Sequence, residues 1–281
     1  MLVLITGLCQ VPALLAAPAS AGVLSLAEKP VQLLRGVTLY QAPLGTHLQG
    51  TDLIESDQSN VQIDGLAGIR LALGPHTRIY VQRTSNGTDI ALLQGWLKLQ
   101  PVTGAKPEHL TVTTAQLTLD VSRSASVIHA DGRHVEVFVE DGTQTLIERN
   151  RRGQEGRKTT LKQEEYTQRN GDDPLSAAGR PDSGFIKAMP PAFFDPLPAV
   201  SLKKLPNAPL VKVRDVTFDD AAPLLLGAVT FKGRSMAIRF SPRLSDSAFR
   251  QAVVQHFGGS LDWETELYRY ERKRATPEGR R

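Results

Sequence analysis

The sequence predicts a mainly β chain: many short strands over residues 30–169, followed by a small α-rich module over residues 210–274. Three observations predict it. Apolar residues alternate through Val61 and Ile63, Ile69, Leu71 and Leu73, Ile79 and Val81, Leu97 and Leu99, Leu110 and Val112, Leu117, Leu119 and Val121, and Val135, Val137 and Val139. A period of two buries one face of a strand and wets the other. Turn formers punctuate the runs at Gly50-Thr51-Asp52, Asp64-Gly65, Gly74-Pro75, Asn86-Gly87, Gln94-Gly95, Asp131-Gly132 and Asp141-Gly142. Asn-Gly and Asp-Gly supply the positive φ of tight hairpins. From about residue 210 the apolar spacing lengthens to three and four. Many short strands at even spacing mean a sandwich, barrel or solenoid, not an α/β fold.

Size and composition bound the rest. The chain has 281 residues, 41% hydrophobic and 22% charged, which suits one large domain or two smaller ones and excludes global disorder and a multi-span membrane protein. A net charge of +4 is too mild to imply a nucleic-acid partner, and 6% aromatic residues leave little for base stacking.

Residues 1–21 are uncharged and apolar and end in Ala19-Ser20-Ala21, the small-x-small pattern of a cleaved secretory leader. No Lys or Arg precedes the apolar run, and Pro12 and Pro18 argue against a buried helix. A membrane anchor needs about 20 clean apolar residues with flanking charge, so no stable span is expected after cleavage. Cys9 is the only cysteine. Leu8 before it does not suit a lipid-acceptor site, and the mature chain is expected to carry no cysteine, hence no disulfide, thiolate nucleophile or Cys-ligated metal. Such a chain suits an oxidising space, and a periplasmic location in a Gram-negative bacterium is expected.

Within the β region, residues 149–158 form a basic, glycine-containing loop, either a hairpin tip or a contact for lipid headgroups or polymer phosphate. Residues 170–209 read as a Pro-rich linker. Inside it, Phe185, Ile186, Phe193 and Phe194 are too apolar to dangle in water and are expected to strap back as an extended, proline-stiffened segment. In the module, Asp219-Asp220 favours a helix start. Residues 228–240 are ambiguous between strand and helix. Ser245-Asp246-Ser247 caps a helix carrying Phe249, Ala252, Val253, His256 and Phe257. Gly258-Gly259 stops it, and Trp263, Leu267 and Tyr270 suggest a second helix from about Asp262. About 65 residues is near the lower limit for independent folding, so docking onto the β region is expected. Residues 275–281 form a basic tail.

An ordered series of motifs runs through the β region: Gly50-Thr51-Asp52-Leu53, Val61-Gln62-Ile63-Asp64-Gly65, Ile69 through Ile79, Leu92-Leu93-Gln94-Gly95-Trp96-Leu97, Leu110-Thr111-Val112-Thr113-Thr114, and Val137-Phe138-Val139-Glu140-Asp141-Gly142. In this series residues 30–169 resemble the FecR domain of bacterial envelope proteins. Two steps depart from the family pattern. Residues 121–128 replace a Gly-Thr-x-Phe-x-Val step, and Glu164 stands where the late turn has glycine. The resemblance implies a periplasmic β-solenoid or β-roll that mediates contacts, with no catalytic residue. Sigma-regulating members carry a cytoplasmic helical segment and a membrane span before the domain. The stretch from Met1 to Val31 has no room for them, so an anti-sigma role is not expected.

The search for chemistry yields little. His47, His76, His109, His129, His134 and His256 include no H-x-x-x-H pair. His129 and His134 flank Asp131-Gly132 and could form a weak metal site or stand as two exposed turn histidines. No G-x-S-x-G frame surrounds Ser59 or Ser183, and Asp172-Asp173, Asp219-Asp220 and Glu164-Glu165 lie in polar stretches or at helix starts. Gly227 has no partner residues for a phosphate loop. Trp96 shares an outer face with Lys98 if Leu97 and Leu99 point inward; it is either packed or offered to a sugar or peptide. Trp263 is expected to anchor the module.

The expected function is a non-enzymatic periplasmic binding or scaffold protein that contacts an envelope protein or polymer, with no catalytic, cofactor or metal residues. One alternative is a periplasmic component of a sigma-regulator-like pathway. Another is an enzyme with a pocket joining His256 to Asp246 or Asp262. Alanine at any single histidine is expected to leave the cellular role intact.

Overall fold

A computed structural model describes residues 21–84, 86–106, 108–229, 231 and 233–275. The expected leader therefore lies outside the described residues, apart from Ala21, and so does the tail beyond Ala275.

The chain is mainly β, a large mixed sheet that does not close, followed by a helical part. The strands fall into two halves. One contains β1 (Val23–Ala27), β5 (Val61–Leu66), β6 (Ile69–Leu73), β11 (Ala125–Asp131), β12 (His134–Asp141) and β15 (Tyr166–Asn170). The other contains β2 (Val31–Arg35), β3 (Thr38–Ala42), β4 (Leu53–Glu55), β7 (Arg78–Thr84), β9 (Leu110–Thr113), β10 (Leu117–Asp120), β13 (Thr143–Arg149) and β14 (Glu155–Lys162). β8 (Gly87–Pro101) belongs to both: residues 87–94 pair with β7, and residues 95–101 pair with β6 and β11. Leu71, Leu97 and Ile128 from the first half meet Leu33, Ile79, Ile90 and Val112 from the second in one core.

Pairing is antiparallel throughout the described strands except between β8 and β9. Stacked parallel coils, the mark of a solenoid, are not what joins them. The expectation of a mainly β chain of many short strands is met; the solenoid form is not displayed.

Gln94-Gly95 is a bend inside β8, not the expected turn. Gly95 takes φ +96°, and a Cβ there would lie 2.4 Å from Thr77 Oγ1. Glycine thus lets the strand swing from one half to the other while its pairing continues. Thr77 Oγ1 also accepts the Trp96 N–H at 2.9 Å, fixing the strand just past the bend.

The alternation does not leave one wet face. Leu34, Leu53, Tyr80 and Ala91 point away from the main core into a second one, formed with the C-terminal helices. Ala72, Trp96 and Val127 point outward under residues 185–197. Both halves are therefore covered on both sides in their centres.

The helical part follows β16 (Val211–Asp215), which pairs with β3 at the sheet edge. Its helices are α2 (Phe218–Leu225), α3 (Gly233–Phe240), α4 (Ser247–Phe257) and α5 (Leu261–Ala275). Thr217 and Asp220 close a capping box on α2. Asp246 caps α4, accepting from Ala248 N and Phe249 N. Within the ambiguous stretch 228–240, residues 233–240 form the helix α3. Trp263 is buried among Met236, Phe240 and Phe249, and Arg239 donates to Gly36 O and Tyr80 Oη on the sheet.

Glu164 adopts φ +64°. A left-handed conformation costs a non-glycine residue about 1–2 kcal/mol. Glycine loses roughly 0.5–1 kcal/mol more chain entropy. Glu164→Gly is therefore expected to stabilise the fold by about 0.5–1 kcal/mol, seen as a small rise in thermal midpoint. A fall would show that the Glu164 side chain contributes more than the backbone costs.

Candidate functional site

The outer face of β5, β6, β8, β11, β12 and β15 carries polar and aromatic side chains with distant partners. What covers it is the chain's own segment after β15. Asp182 accepts the Phe185 N–H at 2.7 Å and starts the short helix α1 (Ser183–Ala188). Met189 and Pro190 are extended, and residues 191–193 make one 3-10 turn. Phe185, Met189, Phe193 and Leu197 are buried against Ala72, Trp96, Val127 and Tyr166. The segment straps back as expected, but it is turned and partly helical where an extended form was expected. Consecutive Phe193 and Phe194 cannot both face the sheet; Phe193 is fully buried and Phe194 is 54% exposed.

Four polar side chains from the sheet hold the strap by its main chain. Lys98 Nζ donates to Phe193 O at 2.6 Å and Asp195 O at 3.0 Å, and pairs with Glu140 at 2.8 Å. Arg70 donates to Leu197 O at 2.9 Å, and Gln62 Nε2 to Pro198 O at 2.9 Å. Gln100 Oε1 accepts the Leu197 N–H at 2.7 Å. Asp64 sets the geometry behind them, accepting from Arg70, Gln62 and Ser25. Lys98 is only 2% exposed, on a strand whose alternate residues build the main core. A charge so placed needs partners, and these three oxygens supply them. An open cleft of about 440 Å³ runs beside the strap, lined by Gln100, Glu140, Asp141, Phe194 and Pro196 among others.

Trp96 lies between the His129 ring, stacked at 4.2 Å, and Phe185 at 5.2 Å. Of the two readings of Trp96 the packed one is met: the ring is buried against the chain's own strap. Tyr166 also meets Phe185 at 5.0 Å.

His129 and His134 do converge, but on a carboxylate. His129 Nδ1 is 2.8 Å and His134 Nε2 3.3 Å from Glu136 Oε2, while Tyr166 Oη donates to Glu136 Oε1 at 2.7 Å. Asp131 is exposed, and no metal-binding group of three forms among the described residues. Burial alone would raise the Glu136 pKa, but hydrogen bonds from His129 and Tyr166 outweigh it and hold the carboxyl below its usual value. Burial beside that carboxylate pushes the Tyr166 phenol up. A depressed carboxyl stabilises the fold above its unfolded pKa and loses this as pH falls through the folded one. Acidification below the ordinary carboxylate range is therefore expected to loosen this face, read as a change in tryptophan emission. Glu136→Gln should flatten that response; an unchanged profile would contradict the role.

The other candidates do not converge. His47, His76, His109 and His256 are exposed, and His256 stacks on Phe218 at 5.2 Å. Asp246 caps the start of α4 and His256 lies in its last turn, ten residues and about 15 Å along the helix. Asp172 pairs with Arg133 and Arg151, and Asp220 with Arg214. Of residues 149–158, only 150–154 form the tip joining β13 to β14; Arg149 ends β13 and residues 155–158 are already strand in β14. No helix among the described residues is long and apolar enough to cross a membrane.

No family model matches the chain, and no curated protein matches it. Among solved structures, it is similar to two crystal structures of a candidate anti-sigma factor from Parabacteroides distasonis, at 1.65 and 2.50 Å resolution. Each is 15% identical, with a TM-score of 0.39 over 48% of this chain. The chain spans 63% and 62% of those chains, less than two thirds of their length.

Proposed function

We propose that the chain is a non-enzymatic periplasmic binding protein. On this reading residues 30–169 are a FecR-like domain, a variant of the solenoid or roll, that contacts an envelope protein or polymer through the outer face of β5, β6, β8, β11, β12 and β15. The observation that supports it most is the grip of Gln62, Arg70, Lys98 and Gln100 on main-chain atoms of residues 193–198. These side chains direct their hydrogen bonds at a peptide backbone, as a recognition surface does, with aromatic pockets for the side chains between. A signalling role is the second reading. The strap joins β15 to β16 and α2, so an event that moved it would be transmitted to the helical part.

A photo-crosslinking residue at exposed Phe194, introduced in the intact cell, tests the binding role. One discrete envelope adduct in the periplasmic fraction is expected. Labelling no different from a crosslinker at exposed Tyr268, or recovery of the protein in the cytoplasm, would overturn it.

A further inference from the structure

The strap and the face beneath it are matched in hydrogen-bonding sign. Lys98, Arg70 and Gln62 offer donors, and they meet the carbonyls of residues 193, 195, 197 and 198. Gln100 offers one acceptor, and it meets the N–H of Leu197. Pro196 and Pro198 flank that residue, and Pro190 and Pro191 lie upstream. Proline has a carbonyl but no N–H, so a proline-interrupted peptide is rich in acceptors and poor in donors. Pro190 is buried on this face, whereas Pro191, Pro196 and Pro198 are exposed, so the prolines act by fixing φ and holding the carbonyls toward these donors. Gly74 adds a steric match: a Cβ there would lie 2.8 Å from Pro190 Cγ, so the ring lies where only glycine leaves room.

We propose that residues 189–198 are a resident ligand, and that the external partner is a segment of the same chemistry: a turned, proline-interrupted peptide with an aromatic anchor at the Phe193 position. This rests on the binding reading above. A tethered strap competes at an effective concentration of order millimolar, so the partner binds well only when the strap loosens.

The test uses the full chain and a fluorescent peptide copying residues 186–199, followed by anisotropy. Phe193→Ala weakens the strap and leaves the face intact; Leu197→Ala is the milder second variant should the first fail to fold. Either is expected to bind the peptide at least tenfold more tightly than the unaltered chain does. Adding Lys98→Met should abolish the gain. Replacing the four prolines of the peptide by alanine should weaken it at least tenfold. Equal binding of the alanine peptide would overturn the proline class and leave the binding reading standing. No binding by a variant whose strap is loose would overturn the resident-ligand idea. The Phe194 crosslink then decides separately whether the face binds any partner.

Discussion

Lys98→Met is expected to free the strap while the sheet stays folded. Methionine keeps the apolar stem of the side chain but removes the ammonium group. The carbonyls of Phe193 and Asp195 and the carboxylate of Glu140 then lose their shared donor. Breaking one member of a buried ion pair costs about 3–5 kcal/mol. Glu140 is 24% exposed and can recover some hydration, so about 2–3 kcal/mol is the fitting scale here. At about 1.4 kcal/mol per factor of ten, the strap-open population rises roughly a hundredfold. Limited proteolysis within residues 183–205 should accelerate accordingly, and the emission of Trp96 should shift to the red as Phe185 leaves it. Lys98→Met combined with Glu140→Gln should recover part of the loss, because it removes the stranded carboxylate. Global unfolding at the single substitution would contradict the separation of this contact from the main core.

Phe240→Ala is expected to melt the helical part selectively. Phe240 is fully buried among Met236, Leu244, Phe249 and Trp263, where truncation of a phenylalanine costs about 3–5 kcal/mol. Residues 211–275 have little core to spare. The helical signal in circular dichroism should fall while the β signal persists. Leu34, Leu53 and Tyr80 would become exposed on the sheet, so a tendency to self-associate should accompany the change. Loss of both signals in one transition would show instead that the sheet needs its helical cover to fold.

Much of the β architecture is legible in the sequence because period two is a local property of a strand. Val61, Ile63, Leu71 and Leu97 lie in the core as their spacing implies. The second and third cores are less legible. Leu33-Leu34, Leu53-Ile54 and Ile79-Tyr80-Val81 break the alternation with apolar outward residues, a signal that both faces are covered, but the pattern does not say by what. The module's caps are local and readable: Asp246 and Asp220 act where their spacing places them. The strap's aromatic residues announce burial, and Lys98 stands conspicuously beside Trp96 on the outward side. Their meeting is not readable, because 95 residues separate Lys98 from Phe193 and nothing local encodes that pairing. Likewise His129 and His134 are placed together by the hairpin, whereas Tyr166 reaches Glu136 only through the pairing of β12 with β15. Gln94-Gly95 misleads for a different reason: a positive φ serves a bend within a strand as well as a turn between two.

Hydrogen exchange at the Leu197 amide tests the seating of the strap most directly. That N–H lies between two prolines and bonds to Gln100 Oε1, so it reports the contact and no secondary-structure ladder. Slow exchange is expected in the unaltered chain, with roughly hundredfold faster exchange in Lys98→Met. Exchange at the free-peptide rate in the unaltered chain would mean that the strap does not rest on the sheet, and the binding face would lose its support.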